Sequence, residues 1–376
     1  MNVFRHQSVP RIFFGSGCLL ELSALLPQLK AEQGLPECFT ALAVCGRHAQ
    51  GQLERLKDLC AQAKVKLEIF LLPPGEPTLT AVEAGIEAAL GSSLVFGFGG
   101  GSALDAAKAI AGLSRLPGKP EDYFYGQKVD KPALPWIGIP TTAGSGAEVT
   151  NNAVLIHRGK KQSVRSPFWF AKAAVVDPEL TLSLPPRQTA LSGLDALTHA
   201  MEAYTSRFAD PLSDLLSQRA VESIRGSLSA AVEAGRNLQA REGLLLGSLL
   251  AAMAFVNCRL GAVHGLAHSI GVRCGAPHGL VCAVLLPHVY LYNLSALGAK
   301  ARQLGRIWRV PSPELVAAEV WDLMAEFGLP ASLSALGLKR ETLAAVAQES
   351  LSSASMAANP KSVDLQSLET LLEKAY

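Results

Sequence analysis

The chain divides into two parts of different class: an α/β half built on a parallel sheet, then an all-helical half. Three observations predict this. Through the first half, short β-rich segments alternate with helix-like stretches, the pattern of strands joined by crossover helices. At 94–110 an apolar strand runs into three glycines, a serine and a helix, LVFGFGGGSALDAAKAI. After Pro185–Pro186 the texture changes to Ala- and Leu-rich sequence with helical periodicity and few β-branched runs.

The β-rich segments lie at 39–45, 66–71, 94–98, 134–139 and 173–176, and the helix-like ones between them include 51–64, 81–90 and 102–113. From 187 to 376 the helical pattern continues, with breaks expected near Pro287, Pro311 and Pro330. The boundary therefore falls at 184, giving an α/β domain over 1–184 and an all-helical domain over 185–376. At 376 residues and 49% hydrophobic, the chain is long enough for two cores.

A net charge of only +2, with no run of Lys or Arg, argues against a nucleic-acid partner or a membrane surface. The N-terminus MNVFRHQSVPRIFF has no apolar signal core. The longest apolar run, 243–256, is interrupted by Ser248 and ends at Asn257; it is too short for a bilayer and is expected to be a buried helix. Seven cysteines, an odd number without a CxxC pair, exclude a disulfide framework and fit a reduced, cytoplasmic protein.

Two loops can take a ligand. Gly99, Gly100 and Gly101 allow close backbone approach, and the helix beginning near Ser102 turns free N–H groups and its positive end toward an anion. That suits a dinucleotide pyrophosphate at the carboxyl end of a strand, although neither GxGxxG nor GK[ST] is present. The second loop, IPTTAGSGAEVT at 139–150, offers hydroxyls and backbone N–H for a ribose or nicotinamide. A capped helix start would use the same residues.

The helical half holds the candidate metal ligands. In GLDALTHAME, Asp195 and His199 are four residues apart and share a helix face. In VHGLAHSIGVRCGAPH, histidines stand at 264, 268 and 278, three of the eight in the chain. A carboxylate with two or three imidazoles in apolar helices suits Fe²⁺ or Zn²⁺ with a position open for substrate. Spacing alone does not choose among the three histidines, and a hydrogen-bonded polar seam between helices is the bland alternative.

Together these motifs resemble the iron-containing (group III) alcohol dehydrogenase family. The likeness is carried by GGGSALDAAK (99–108), PTTAGSGAEVT (140–150), KQSVRSP (161–167), VVDPEL (175–180), SGLDALTHAMEAYTS (192–206), and AVHGLAHSIG with APHG (262–279), in family order and over nearly the whole chain. The resemblance implies an architecture like dehydroquinate synthase, with a homodimer as the usual assembly. It implies Asp195, His199, His264 and His278 as metal ligands and His268 as a proton relay near substrate and nicotinamide. It further implies that Gly100, Gly101, Ser102, Thr141, Thr142 and Ser145 line the pyrophosphate and nicotinamide, with Lys161 reaching the ribose. The activity implied is hydride transfer between NAD or NADP and a small alcohol or aldehyde.

The sequence departs from that pattern in places. Gly46 stands where many members carry an Asp for the adenosine 2′-hydroxyl, and Arg47 follows. Losing a carboxylate and gaining a guanidinium favours a 2′-phosphate, so NADP(H) is the expected cofactor. Arg259 and Arg273, unusual near the substrate, raise the alternative of an acidic keto or semialdehyde substrate, as in maleylacetate reductases. A cyclase of the dehydroquinate-synthase kind is the other alternative. It would need more cations than the metal segments supply. Cys258, Cys274 and Cys282 flank the metal segments without an assigned role; a zinc–thiolate site on Cys274 is a minor alternative.

Overall fold

The computed structural model describes residues 3–376; Met1 and Asn2, which head the N-terminal segment expected to lack a leader, lie outside them. The chain forms two compact units. One comprises Ser8–Thr142 and Gly146–Ser183, the other Leu184–Tyr376 together with residues 3–7 and Ala143–Ser145. Residues 3–7 and Ala143–Ser145 are the two short segments that group with the helices.

In the α/β unit the order is β1 (Ile12–Phe14), α1 (Leu22–Gln33), β2 (Phe39–Cys45), α2 (Leu53–Gln62), β3 (Val65–Leu71), α3 (Leu79–Ala88), β4 (Ser92–Gly99), α4 (Gly101–Leu113), α5 (Pro120–Phe124), β5 (Trp136–Pro140), β6 (Asn152–His157), β7 (Lys160–Arg165) and β8 (Ala173–Val176). Six strands form one sheet in the order β1-β8-β5-β4-β2-β3, every pair parallel. The inner strands are buried on both faces. Along β2, Ala41, Ala43 and Cys45 pack with Leu25, Leu26 and Leu56 of the helices, while Leu42 and Val44 are buried on the opposite side. This is why 39–45 has no polar alternation.

Three strands were not anticipated. β1 is only three residues long, below the length at which a pattern shows. β6 and β7 form an antiparallel hairpin whose turn, Arg158–Gly159, has positive φ at both residues (48° and 74°). Positive φ at both central positions is the geometry of a two-residue hairpin turn.

The helical unit runs through α6 (Pro186–Thr205), α7 (Pro211–Glu233), α8 (Leu238–Cys258), α9 (Ala262–Cys274), α10 (His278–Leu297), α11 (Ala299–Trp308), α12 (Leu315–Glu326), α13 (Leu343–Leu351) and α14 (Leu365–Ala375). The apolar run 243–256 lies within α8. As whole elements, α8 and α10 are long and apolar enough to cross a membrane, but 67% of each apolar window is buried within the unit. Such an all-round apolar surface suits a core helix. Pro311 and Pro330 fall between helices, whereas Pro287 does not break α10 but sits inside it. An internal proline costs about 3 kcal/mol, and burying each Leu or Val returns about 2 kcal/mol. α10 buries Leu280, Val281, Val284, Leu285, Leu286 and Val289, which outweighs the break.

Candidate functional site

The first candidate surface is made of backbone. β2 has β3 on one side and β4 on the other, so the order in which successive strands are added reverses between β2 and β4. Ligands of open parallel sheets bind outside the carboxyl ends of the strands at such a point. Gly99 ends β4 with φ 151°, and a Cβ there would stand 2.9 Å from the Ala103 Cβ and 3.8 Å from the Gly46 nitrogen. The carboxyl ends of β2 and β4 are thus side by side, and α4 starts immediately with the N–H groups of Gly101 and Ser102 lacking helical partners.

The second loop lies against the first. Thr141 N–H donates to the Gly99 carbonyl at 2.9 Å, and a Cβ on Gly100 would meet Thr142 Cγ2 at 3.3 Å. Residues 100–102, 141 and 142 are half-buried, between buried neighbours on either side. Gly46 has nothing within 4 Å of a Cβ position, and Arg47 is exposed. Lys161 is held by an ion pair to Glu76, its side chain 9% exposed. Beneath the loop, Lys108 of α4 is buried and donates to Thr150 Oγ1 at 2.9 Å and to the Asn152 carbonyl at 2.6 Å, tying the helix to the start of β6.

The second candidate surface is made of side chains, all in the helical unit. Asp195 of α6, His264 of α9, and His278 and Cys282 of α10 place four ligand atoms within 4.8 Å of one another. Asp195 Oδ1 lies 3.8 Å from His264 Nε2 and 3.9 Å from His278 Nε2, too far for hydrogen bonds. That oxygen is buried and has no hydrogen-bond partner. An orphaned carboxylate oxygen costs about 1–3 kcal/mol or more, so it implies something that the protein atoms do not supply. A divalent cation satisfies it, and carboxylate plus imidazole is a fitting donor set.

Glu202 explains why His264 points the right way. Its carboxylate lies 2.7 Å from His264 Nδ1, which turns Nε2 to the cluster. The same carboxylate accepts the backbone N–H of Val263 at 2.7 Å at the start of α9, where the helix dipole favours a negative charge. Gly261 is needed for this approach: a Cβ there would lie 2.9 Å from Glu202 Oε1. Glu202 was not anticipated, although Asp195, His199 and Glu202 sit at i, i+4 and i+7 on one face of α6.

His199 is beside the four close atoms rather than among them. Its ring stacks on His264 at 4.6 Å and on Phe255 at 4.7 Å, and Nδ1 is 3.3 Å from the Gly144 carbonyl. Burial pushes its pKa down to about 4, keeping the ring neutral. His268, one turn beyond His264, is half-buried and stacks on His278 at 5.4 Å. Ser145 folds with the helical unit, next to Gly144.

Three other residues are placed away from the cluster. Cys274 donates to the Ile270 carbonyl of its own helix, so the thiol that joins the cluster is Cys282 instead. Arg273 is committed to Glu349 and to Ser269. Arg259 is exposed at the end of α8, with its guanidinium 5.2 Å from the centre of the Phe208 ring.

Comparison with known proteins shows the family and the fold. Residues 10–178 match the model of the iron-containing alcohol dehydrogenase family, and 189–376 match that of the C-terminal domain of Fe-containing alcohol dehydrogenases. The probable alcohol dehydrogenase EutG of Salmonella typhimurium is 38% identical over 84% of this chain and 81% of its own. The crystal structure of a 1,3-propanediol oxidoreductase superimposes with a TM-score of 0.92 at 30% identity, covering 100% of both chains. Sulfoacetaldehyde reductase from Bifidobacterium kashiwanohense, in complex with NAD+, superimposes with a TM-score of 0.90 at 27% identity, covering 100% of this chain and 99% of that one.

Proposed function

Because the chain belongs to the iron-containing alcohol dehydrogenase family, we propose that it is a metal-dependent reductase of small aldehydes, and in reverse an alcohol dehydrogenase, with NADP(H) as the preferred dinucleotide. The observation that carries this reading is the convergence of Asp195 Oδ1 with His264 Nε2 and His278 Nε2 around an unsatisfied carboxylate oxygen.

Asp195, His264 and His278 would hold the ion, with His199 against His264 as a further ligand. When bound, the metal supplies Lewis acidity toward the substrate oxygen and the dinucleotide supplies or accepts the hydride. The chain does the rest. Glu202 keeps the proton on His264 Nδ1, so that Nε2 keeps its lone pair. His268 passes a proton between the substrate oxygen and solvent through its imidazole. Gly100, Gly101 and Ser102 bind the pyrophosphate through backbone N–H, and Thr141, Thr142 and Ser145 orient the nicotinamide. The loop 139–150 contributes to both units: Thr142 lies against Gly100, and two residues later the Gly144 carbonyl lies 3.3 Å from His199.

The dinucleotide preference rests on Gly46 and Arg47. Open space at the Gly46 Cβ position means that Gly46→Asp is tolerated sterically, and it restores a carboxylate where a 2′-phosphate would otherwise sit. A repelled 2′-phosphate should shift the kcat/KM ratio toward NADH by about tenfold or more, a free-energy change of about 1.4 kcal/mol. An unchanged ratio would remove the NADP argument.

The wider test follows reduced-nicotinamide absorbance with metal-stripped enzyme re-supplied with Fe²⁺ or Zn²⁺ without oxygen. Metal-dependent oxidation of NADPH by neutral aldehydes is the expected result. Binding of both metal and dinucleotide without net oxidation by any carbonyl would point instead to cyclase chemistry. In the same reading the enzyme works in the cytoplasm as a homodimer, which a solution mass of one protomer would contradict.

A further inference from the structure

The thiol at the metal cluster has no part in the chemistry above. Cys282 lies one helical turn after His278 on α10, so the two side chains share a face. Its Sγ stands 3.6 Å from His278 Nε2 and 3.9 Å from His264 Nε2, and it is fully buried.

Those spacings can be compared with what an ion would impose. For ligand bonds of ~2.05 Å to nitrogen and ~2.3 Å to sulfur, tetrahedral angles give an N···S separation of about 3.6 Å. The same construction with an oxygen at ~2.1 Å gives an N···O separation of about 3.4 Å. Octahedral angles would bring N and S to about 3.1 Å. The observed 3.6 and 3.9 Å to sulfur, and 3.8 and 3.9 Å to oxygen, lie nearer the tetrahedral set. A thiol that donates to His264 Nε2 and accepts from His278 Nε2 would account for the two sulfur contacts, but it leaves Asp195 Oδ1 without a partner.

We propose that Cys282 is a sulfur ligand of the metal, joining Asp195, His264 and His278, with His199 as the further ligand named above. The inference rests on the metal-dependent reading above. On binding, the S–H bond is replaced by a sulfur–metal bond and the proton leaves to buffer, with no change of oxidation state. A soft sulfur donor shifts the site toward Zn²⁺ and Co²⁺ relative to a site of oxygen and nitrogen alone.

The test uses the full-length, metal-stripped protein titrated with Co²⁺ in the absence of oxygen. Visible d–d bands report that cobalt is bound, and a near-ultraviolet sulfur-to-cobalt charge-transfer band reports a thiolate ligand. We expect both in the wild type, loss of the charge-transfer band alone in Cys282→Ser and Cys282→Ala, and retention of both in Cys274→Ser. Visible bands without the charge-transfer band, or a charge-transfer band that survives Cys282→Ser, would overturn the inference and leave the enzymatic reading intact. Failure to bind cobalt at all would overturn both. Should the variants not fold, X-ray absorption of the Zn²⁺-loaded wild type decides. One sulfur at about 2.3 Å supports the ligand, and a shell of nitrogen and oxygen alone removes it.

Discussion

The two candidate surfaces do opposite things with the same chain. On the reading proposed above, a ligand at the carboxyl ends of β2 and β4 would meet backbone: glycines, helix N–H groups and two threonines, with Arg47 the exposed charge beside them. In the helical unit it would meet side chains, drawn from α6, α9 and α10 and fixed by Glu202. The first surface would bind because side chains have been removed, the second because they have been brought together. A backbone site should therefore fail by adding an atom, and a side-chain site by deleting one.

The largest effect should come from Asp195→Asn, which preserves shape and removes the charge. Losing a residue that only orients a metal ligand costs about 10–100-fold in affinity, so loss of a carboxylate that holds the ion itself should weaken metal binding by at least about 100-fold. Equilibrium dialysis with Zn²⁺ measures it, and dinucleotide binding should be unaltered. Near-normal metal affinity would mean that the orphaned oxygen has another purpose.

Gly99→Ala makes the converse change. The new Cβ meets Ala103 at 2.9 Å in a φ of 151°, a backbone state costing about 1–3 kcal/mol for a residue with a Cβ. We expect NADPH affinity to fall about tenfold, equivalent to about 1.4 kcal/mol, by fluorescence titration, with metal binding unchanged. A loss in both would erase the distinction between the two surfaces.

The smallest effect is expected at the rim of the side-chain surface. The Arg273–Glu349 pair is exposed enough to contribute no more than about 1 kcal/mol, so Arg273→Ala should lower Tm only slightly. Since the guanidinium is already committed to Glu349, KM for an acidic aldehyde should change no more than KM for a neutral one of similar size. A selective rise for the acidic substrate would return Arg273 to the list of recognition residues.

The same contrast governs what was legible in the sequence. Buried parallel strands declare themselves as apolar runs, and the limits of β2 and β8 coincide with the segments 39–45 and 173–176. The glycine loop declares itself because few other roles need three glycines between a strand and a helix. The hairpin β6–β7 was hidden because HRGKKQSVR is polar, and only Arg158–Gly159 marked the turn. Pro287 misled because local proline chemistry was outweighed by burial along α10. Glu202 and Cys282 each lie at helical spacing from a candidate ligand, so the signal existed. Their partners are another matter: Glu202 meets His264 across 62 positions, a pairing that only the packing of α6 on α9 decides.

The apolar helix α10 has a consequence for how the protein is made. α8 packs on α6 and α7, both of which leave the ribosome before it. α10 packs on α6 and α9, which precede it, but also on α12 and α14, which are synthesised afterwards. A growing chain therefore carries a long hydrophobic surface that finds its last cover only when residues 365–375 emerge. A nascent chain halted before Leu365 would leave the part of α10 that α14 covers open to chaperones and proteases.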